Sequence, residues 1–120
     1  MARKKSINEE ALPLPWATLH ILLSLTDGPK HGYAIMGRVE ELSDGAVSMG
    51  PGTLYGSIKR MLADRLIEEV SGPADGDERR RYYQLTAPGE AACAAEVARL
   101  NRLLRHATVR RWASPAPRRA

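Results

Sequence analysis

A mainly α fold with a small β element, α+β in class, is what the sequence predicts, and three observations carry it. Apolar residues recur at helical spacing in three successive segments between residues 13 and 66. Two short strand-like runs, 67–70 and 81–85, then flank a stretch of loop chemistry, Gly72-Pro73-Ala74-Asp75-Gly76-Asp77. A long helical pattern follows Thr86. At 120 residues the chain has room for one compact core, since domains usually take about 100 to 150 residues.

Residues 1–12 mix Arg3, Lys4 and Lys5 with Glu9 and Glu10 and show no apolar period, which predicts a flexible N-terminal arm. Pro13 to Pro15 open the first helix, because a proline in the first turn forfeits no internal hydrogen bond. Trp16, Leu19, Ile21, Leu22, Leu23 and Leu25 then cover nearly every face, the pattern of a central core helix. Asp27-Gly28-Pro29 ends it, with Gly28 expected in the left-handed cap conformation. The second helix is expected over Gly32 to Leu42, with Ile35, Met36, Val39 and Leu42 on its buried stripe, and Ser43-Asp44-Gly45 closes it. Pro51 suits the first position of a third helix, where Leu54, Ile58, Met61 and Leu62 line the inner side. Thr53, Gly56, Lys59, Arg60 and Ala63 point the other way, with Tyr55 and Ser57 on the flanks. After the hairpin, Thr86 caps a fourth helix expected to run over 87–112. On it Cys93, Val97, Leu100, Leu104 and Ala107 repeat at heptad spacing, with Leu103 beside them. Residues 113–120 have the composition of a disordered tail.

Several function classes fall away on composition. No apolar run approaches the roughly 20 residues that span a bilayer, and no signal-peptide order is present, so the chain reads as soluble and cytoplasmic. Cys93 is the single cysteine, and His20, His31 and His106 stand far apart without ligand partners, so no metal site is expected. Gly50-Pro51-Gly52 follows no strand and lacks dinucleotide-binding spacing. With no nucleophile–base pair, carboxylate pair or cofactor loop assembled, neither an enzyme nor a cofactor is expected. The formal net charge of +4 is uneven: residues 97–120 hold seven arginines and no acid, which leaves the first 96 residues at −3. Any case for nucleic acid therefore rests on where the cations stand.

Three helices followed by a two-stranded hairpin and a further helix form the winged helix-turn-helix order, in which the third helix enters the major groove and the hairpin lies along the backbone or minor groove. Particular residues go further. His31-Gly32-Tyr33-Ala34-Ile35, Gly50-Pro51-Gly52-Thr53-Leu54-Tyr55 and Arg80-Arg81-Tyr82-Tyr83-Gln84-Leu85-Thr86 with Gly89 resemble the PadR family of bacterial transcriptional regulators, from about Leu14 to Gly89. The resemblance implies a DNA-binding domain over 13–86 and a homodimeric repressor joined through its C-terminal helix. It also implies release by a small aromatic or hydrophobic effector. The short stretch after Thr86 matches the subgroup with a single C-terminal helix.

The candidate DNA contacts are Thr53, Tyr55, Ser57, Lys59, Arg60, Arg79, Arg80 and Arg81. An arginine can grip guanine with two prongs and a lysine neutralises phosphate, while the small Thr53, Gly56 and Ala63 let the helix enter a groove about 12 Å wide. Tyr55 is a phosphate donor, as the resemblance implies, or a core filler. The wing arginines suit a narrow minor groove, Arg80 best of all if Leu85 faces the core, or they pair with Glu68, Glu69 or Glu78 across the hairpin. At least one is expected paired and another free. Cys93, Val97, Leu100, Leu103, Leu104 and Ala107 are the candidate dimer seam, and the dimer geometry predicts a pseudo-palindromic operator in double-stranded DNA. Trp16 and Trp112 either stack on a planar effector or pack at helix ends. The rival reading is a winged-helix protein–protein adaptor without DNA binding, to which the −3 balance lends weight.

Overall fold

The computed structural model describes residues 12–73 and 80–113. The expected arm (Leu12 apart), the wing tip with Arg79, and the expected tail beyond Ala113 lie outside the described residues. The order is α1 (Trp16–Ser24), β1 (Lys30–His31), α2 (Gly32–Leu42), α3 (Pro51–Ala63), β2 (Ile67–Val70), β3 (Tyr82–Leu85), α4 (Ala87–Arg105) and α5 (Ala107–Ala113).

Helix α1 is central, as its all-round apolar surface predicts: it packs against α2, α3 and α4, and Ile21 and Leu22 are fully buried. It stops at Ser24 in tight three-residue turns, before the predicted Asp27-Gly28-Pro29 terminator. Gly28 takes a φ of +137°, open to glycine but not the left-handed helical cap expected of it. Ile35 and Val39 seat α2 in the core, whereas Leu42, expected on the same stripe, is exposed because it sits in the last turn beyond the packed elements. Asp44 and Gly45 both adopt positive φ and turn the chain toward α3.

The sheet departs from expectation. It has three antiparallel strands in the order β1-β3-β2, not two, because Lys30 and His31 pair with Tyr83 and Tyr82. Two residues carry no readable periodicity, so only tertiary pairing defines β1. The final strand starts at Tyr82, leaving Arg81 outside the ladder. Tyr83 is buried and Leu85 packs against the core, so this face points inward.

Helix α3 ends in a Schellman motif: Leu66 N–H donates to the Met61 carbonyl at 2.9 Å and Arg65 N–H to Leu62 at 3.1 Å. The left-handed position, φ +61°, is held by Arg65 where glycine is the usual occupant. Arg65→Gly is expected to raise stability by up to about 1 kcal/mol, read as a higher urea midpoint, because relief of the Cβ clash outweighs the added unfolded-state entropy.

The first half of α4 belongs to the core through Ala92 and Cys93. Thr86 caps it as predicted, its Oγ1 accepting the Gly89 N–H at 3.0 Å. The single long helix expected over 87–112 is two: His106 is extended (φ −65°, ψ 133°) and separates α4 from α5. Ala107 therefore leaves the heptad register, and Cys93 is spent on the intramolecular core, where burial pushes its thiol pKa up. Both drop out of the expected seam.

Glu96 closes this packing. Its buried carboxylate accepts the Leu14 N–H at 3.0 Å and the Arg99 guanidinium at 2.6 Å, tying the segment before α1 to α4. The Arg99 hydrogen bonds hold its pKa below the usual carboxylate range, against the opposing effect of burial and with help from the Leu14 N–H. A depressed folded value means the stabilisation is present above the unfolded pKa, about 4.5, and is lost as pH falls through the folded one. Glu96→Gln should thus lower stability near neutral pH by about 1 kcal/mol, with Arg99 partly solvated, and the gap should shrink in urea titrations run at progressively lower pH.

Candidate nucleic-acid interface

Gly50 precedes α3 with no side-chain cap, and Pro51 opens it, so backbone N–H groups of the first turn are available to an anion. Leu54, Ile58 and Met61 anchor one side of the helix in the core. This leaves Thr53, Gly56, Lys59, Arg60 and Ala63 exposed on the other, as the helical spacing predicts. Among the described residues Lys59 and Arg60 enter no ion pair with a carboxylate. Ser57 does not belong to this face. It is 2% exposed and packs inward beside Ile58, which removes it from the candidate contacts.

Tyr55 projects from the flank of α3 toward the start of α2, where its hydroxyl occupies the space a side chain would need at Gly32. Together with His31, Gly32, Tyr33, Arg80, Arg81 and Tyr83 it lines an open cleft of about 270 Å³. Arg81 pairs with Glu69 across the hairpin at 3.6 Å. Arg80 meets no carboxylate among the described residues; its Nη1 lies 3.0 Å from His31 Nε2. The expected paired wing arginine is Arg81, whereas Arg80, expected free, has His31 as an unforeseen neighbour.

His31 is the residue that sequence reasoning missed. Its Nδ1 accepts the Ala34 N–H at 3.2 Å and so caps α2, while the edge of the Tyr82 ring packs against its own at 5.3 Å. Burial, and secondarily the Arg80 charge, lower its pKa, so the neutral imidazole is favoured. The available signal was a side-chain acceptor placed just before Gly32, at the start of a helical period. Tyr83 has its pKa raised by burial and remains a neutral phenol. Trp16 and Trp112 are both exposed; Trp16 meets His20 edge-on at 6.0 Å, and Arg111 lies over the Trp112 ring at 5.5 Å. Among the described residues no His, Cys, Asp or Glu group is arranged to hold a metal, and no helix is long and apolar enough to cross a membrane.

A helical trio with an outward basic face on its third member, backed by a small antiparallel sheet, defines a winged helix-turn-helix protein. Comparison with known proteins gives the same class and narrows it. The family model for the transcriptional regulator PadR-like family matches residues 21–95. Transcriptional regulator Rv3488 of Mycobacterium tuberculosis is 36% identical over 87 residues, which cover 72% of this chain and 78% of that protein. An uncharacterized 37.1 kDa protein in transposon TN4556 of Streptomyces fradiae is also 36% identical over 87 residues, but the match spans only 24% of its length. Among solved structures, a PadR family transcription regulator from Clostridium difficile superposes with a TM-score of 0.66 at 20% identity, over 83% of this chain and 100% of that one. Bacillus subtilis PadR in complex with operator DNA superposes with a TM-score of 0.59 at 20% identity, over 88% of this chain and 52% of that one. The chain belongs to the PadR-like family of transcriptional regulators, a family of regulators and not of enzymes.

Proposed function

We propose that the chain is a homodimeric, sequence-specific DNA-binding regulator. It represses by occupying a pseudo-palindromic operator and leaves when a small aromatic or hydrophobic effector binds. The observation that carries the DNA reading is the outward face of α3, where Lys59 and Arg60 stand exposed among small residues and meet no carboxylate among the described residues. Thr53 and Tyr55 add hydroxyl donors to the same side. The operator complex known for Bacillus subtilis PadR supports the reading. Residues 13–86 would form the DNA-binding unit and 87–112 the dimerising one.

The case for a dimer rests on α4. Among the described residues none after Glu96 is buried, and Val97, Leu103 and Leu104 are 45%, 47% and 46% exposed, with Leu100 half-buried between them. An apolar stripe at spacings of three and four is the surface a second copy of the helix covers. A two-fold pairing there would set the two α3 helices about 34 to 36 Å apart, one turn of B-DNA. Leu100→Asp with Leu104→Asp is expected to convert a dimer to a monomer in sedimentation velocity and to weaken operator binding. A wild-type monomer would overturn the dimer. Trp16 and Trp112 offer the planar faces an aromatic effector would stack on.

Selection of bound fragments from the source genome, followed by fluorescence anisotropy on the enriched sequence, tests the DNA reading directly. A palindromic site bound more tightly than random duplex is the expected result. No binding to any promoter fragment at low salt would favour the adaptor reading instead.

A further inference from the structure

The count of lone pairs on His31 does not close. A neutral imidazole has one bare nitrogen, yet two donors address this ring: the Ala34 N–H at Nδ1 and the Arg80 guanidinium at Nε2. The cap on α2 claims the Nδ1 lone pair, which puts the ring proton on Nε2 and leaves it facing the Arg80 Nη1, donor against donor, at 3.0 Å. None of the described residues lining the cleft is acidic, and the neighbouring Glu69 is engaged by Arg81. The hydroxyl-bearing Tyr33 and Tyr55 line the same cleft, as does Gly32 at the N-terminus of α2. Among the described residues no carboxylate is placed to reconcile these donors, and an acceptor brought by a ligand would do so.

We propose that this cleft is the seat of one backbone phosphate of bound DNA, with its oxygens lodged between His31 Nε2–H, Arg80 and the Tyr55 hydroxyl. The inference rests on the DNA-binding reading above and adds a specific anchor to it. In the DNA-free chain Arg80 is parked against His31, and the phosphate separates the two donors while satisfying both. Strand β1 makes this possible, because its pairing of His31 with Tyr82 brings the cap of α2 beside Arg80, 49 residues away in sequence. His31 is then a positioning residue for α2 and a phosphate ligand at once. Arg80 serves as the anchor of the wing base and not as a minor-groove probe.

The test uses the full chain. Asparagine is among the best helix caps, so His31→Asn keeps an acceptor for the Ala34 N–H while removing the donor that reaches the cleft. Gly32→Ala puts a methyl group where the Tyr55 hydroxyl lies and displaces that ring with the backbone unstrained. His31→Asn and Arg80→Gln are each expected to weaken operator binding roughly tenfold, and Arg80→Gln to flatten the dependence of log affinity on log salt by about 0.9. Melting temperatures should hold. Independently of any operator, inorganic phosphate should shift the His31 Nε2 resonance in nitrogen-15 NMR of the wild type and leave it unmoved in Arg80→Gln. An unmoved resonance in the wild type, or unchanged operator affinity in both His31→Asn and Arg80→Gln, overturns the seat. If phosphate moves His31 while no duplex binds, the cleft stands as a phosphate site but its assignment to DNA falls with the DNA reading. If Lys59→Ala weakens DNA binding while the cleft variants do not, the DNA reading stands and the seat falls.

Discussion

Gly89→Ala is expected to cost about 3 kcal/mol or more, a large share of the roughly 5 to 15 kcal/mol that holds a domain of this size together. A Cβ at this position would sit inside the Leu66 carbonyl oxygen and collide with its carbon, backbone atoms that no rotamer change can move aside. Both partners are pinned. The Leu66 carbonyl accepts the Thr86 N–H at 3.1 Å, and the Thr86 hydroxyl bridges the Gly89 N–H and the Arg65 carbonyl at 3.0 and 2.6 Å. Retreat of α4 would therefore break the junction that joins the end of α3, the start of β2 and the first turn of α4. Urea unfolding followed by circular dichroism measures the loss. Gly37→Ala is the matched control: it lies in α2 with open space around the added methyl, and should stabilise by about 0.5 to 1 kcal/mol. Equal effects at the two glycines would sink the close-packing argument.

Lys59→Ala combined with Arg60→Ala should all but remove sequence-specific DNA binding while leaving the fold intact. Both side chains are exposed on α3, and surface substitutions of this kind change stability by about 0.5 kcal/mol at most. An arginine that grips a base edge is worth about 1 to 3 kcal/mol of discrimination, or roughly 5- to 150-fold in affinity. A lysine on phosphate contributes instead to the salt slope, about one unit. Anisotropy with each single variant over a series of salt concentrations separates the two roles. Arg60→Ala should relax the sequence preference, and Lys59→Ala should flatten the slope. Undiminished binding by the double variant would show that α3 does not face DNA.

The helices were legible because their signals are local. Pro51 and Thr86 mark helix starts within one turn, and the Ile35–Val39 and Leu54–Ile58–Met61 spacings show which side is buried. Ser57 was misread because helical spacing alone places it on a flank, and only the packing of α3 against its neighbours carries that flank inside. The seam on α4 was read too long for a related reason. Heptad spacing does not reveal that Cys93 is consumed by the core or that the backbone turns at His106.

The sequence by itself determined the three N-terminal helices and the hairpin, the starts of α3 and α4 at Pro51 and Thr86, and the outward placement of Thr53, Lys59 and Arg60, since each depends on residues within a few positions of one another. Tertiary structure alone decided the third strand, the Glu96 tie to Leu14, the Gly89 contact with Leu66 and the meeting of His31 with Arg80. Those pairs lie between 23 and 82 residues apart along the chain, and their donors, acceptors and missing methyl groups acquire a purpose only where packing brings the two ends together.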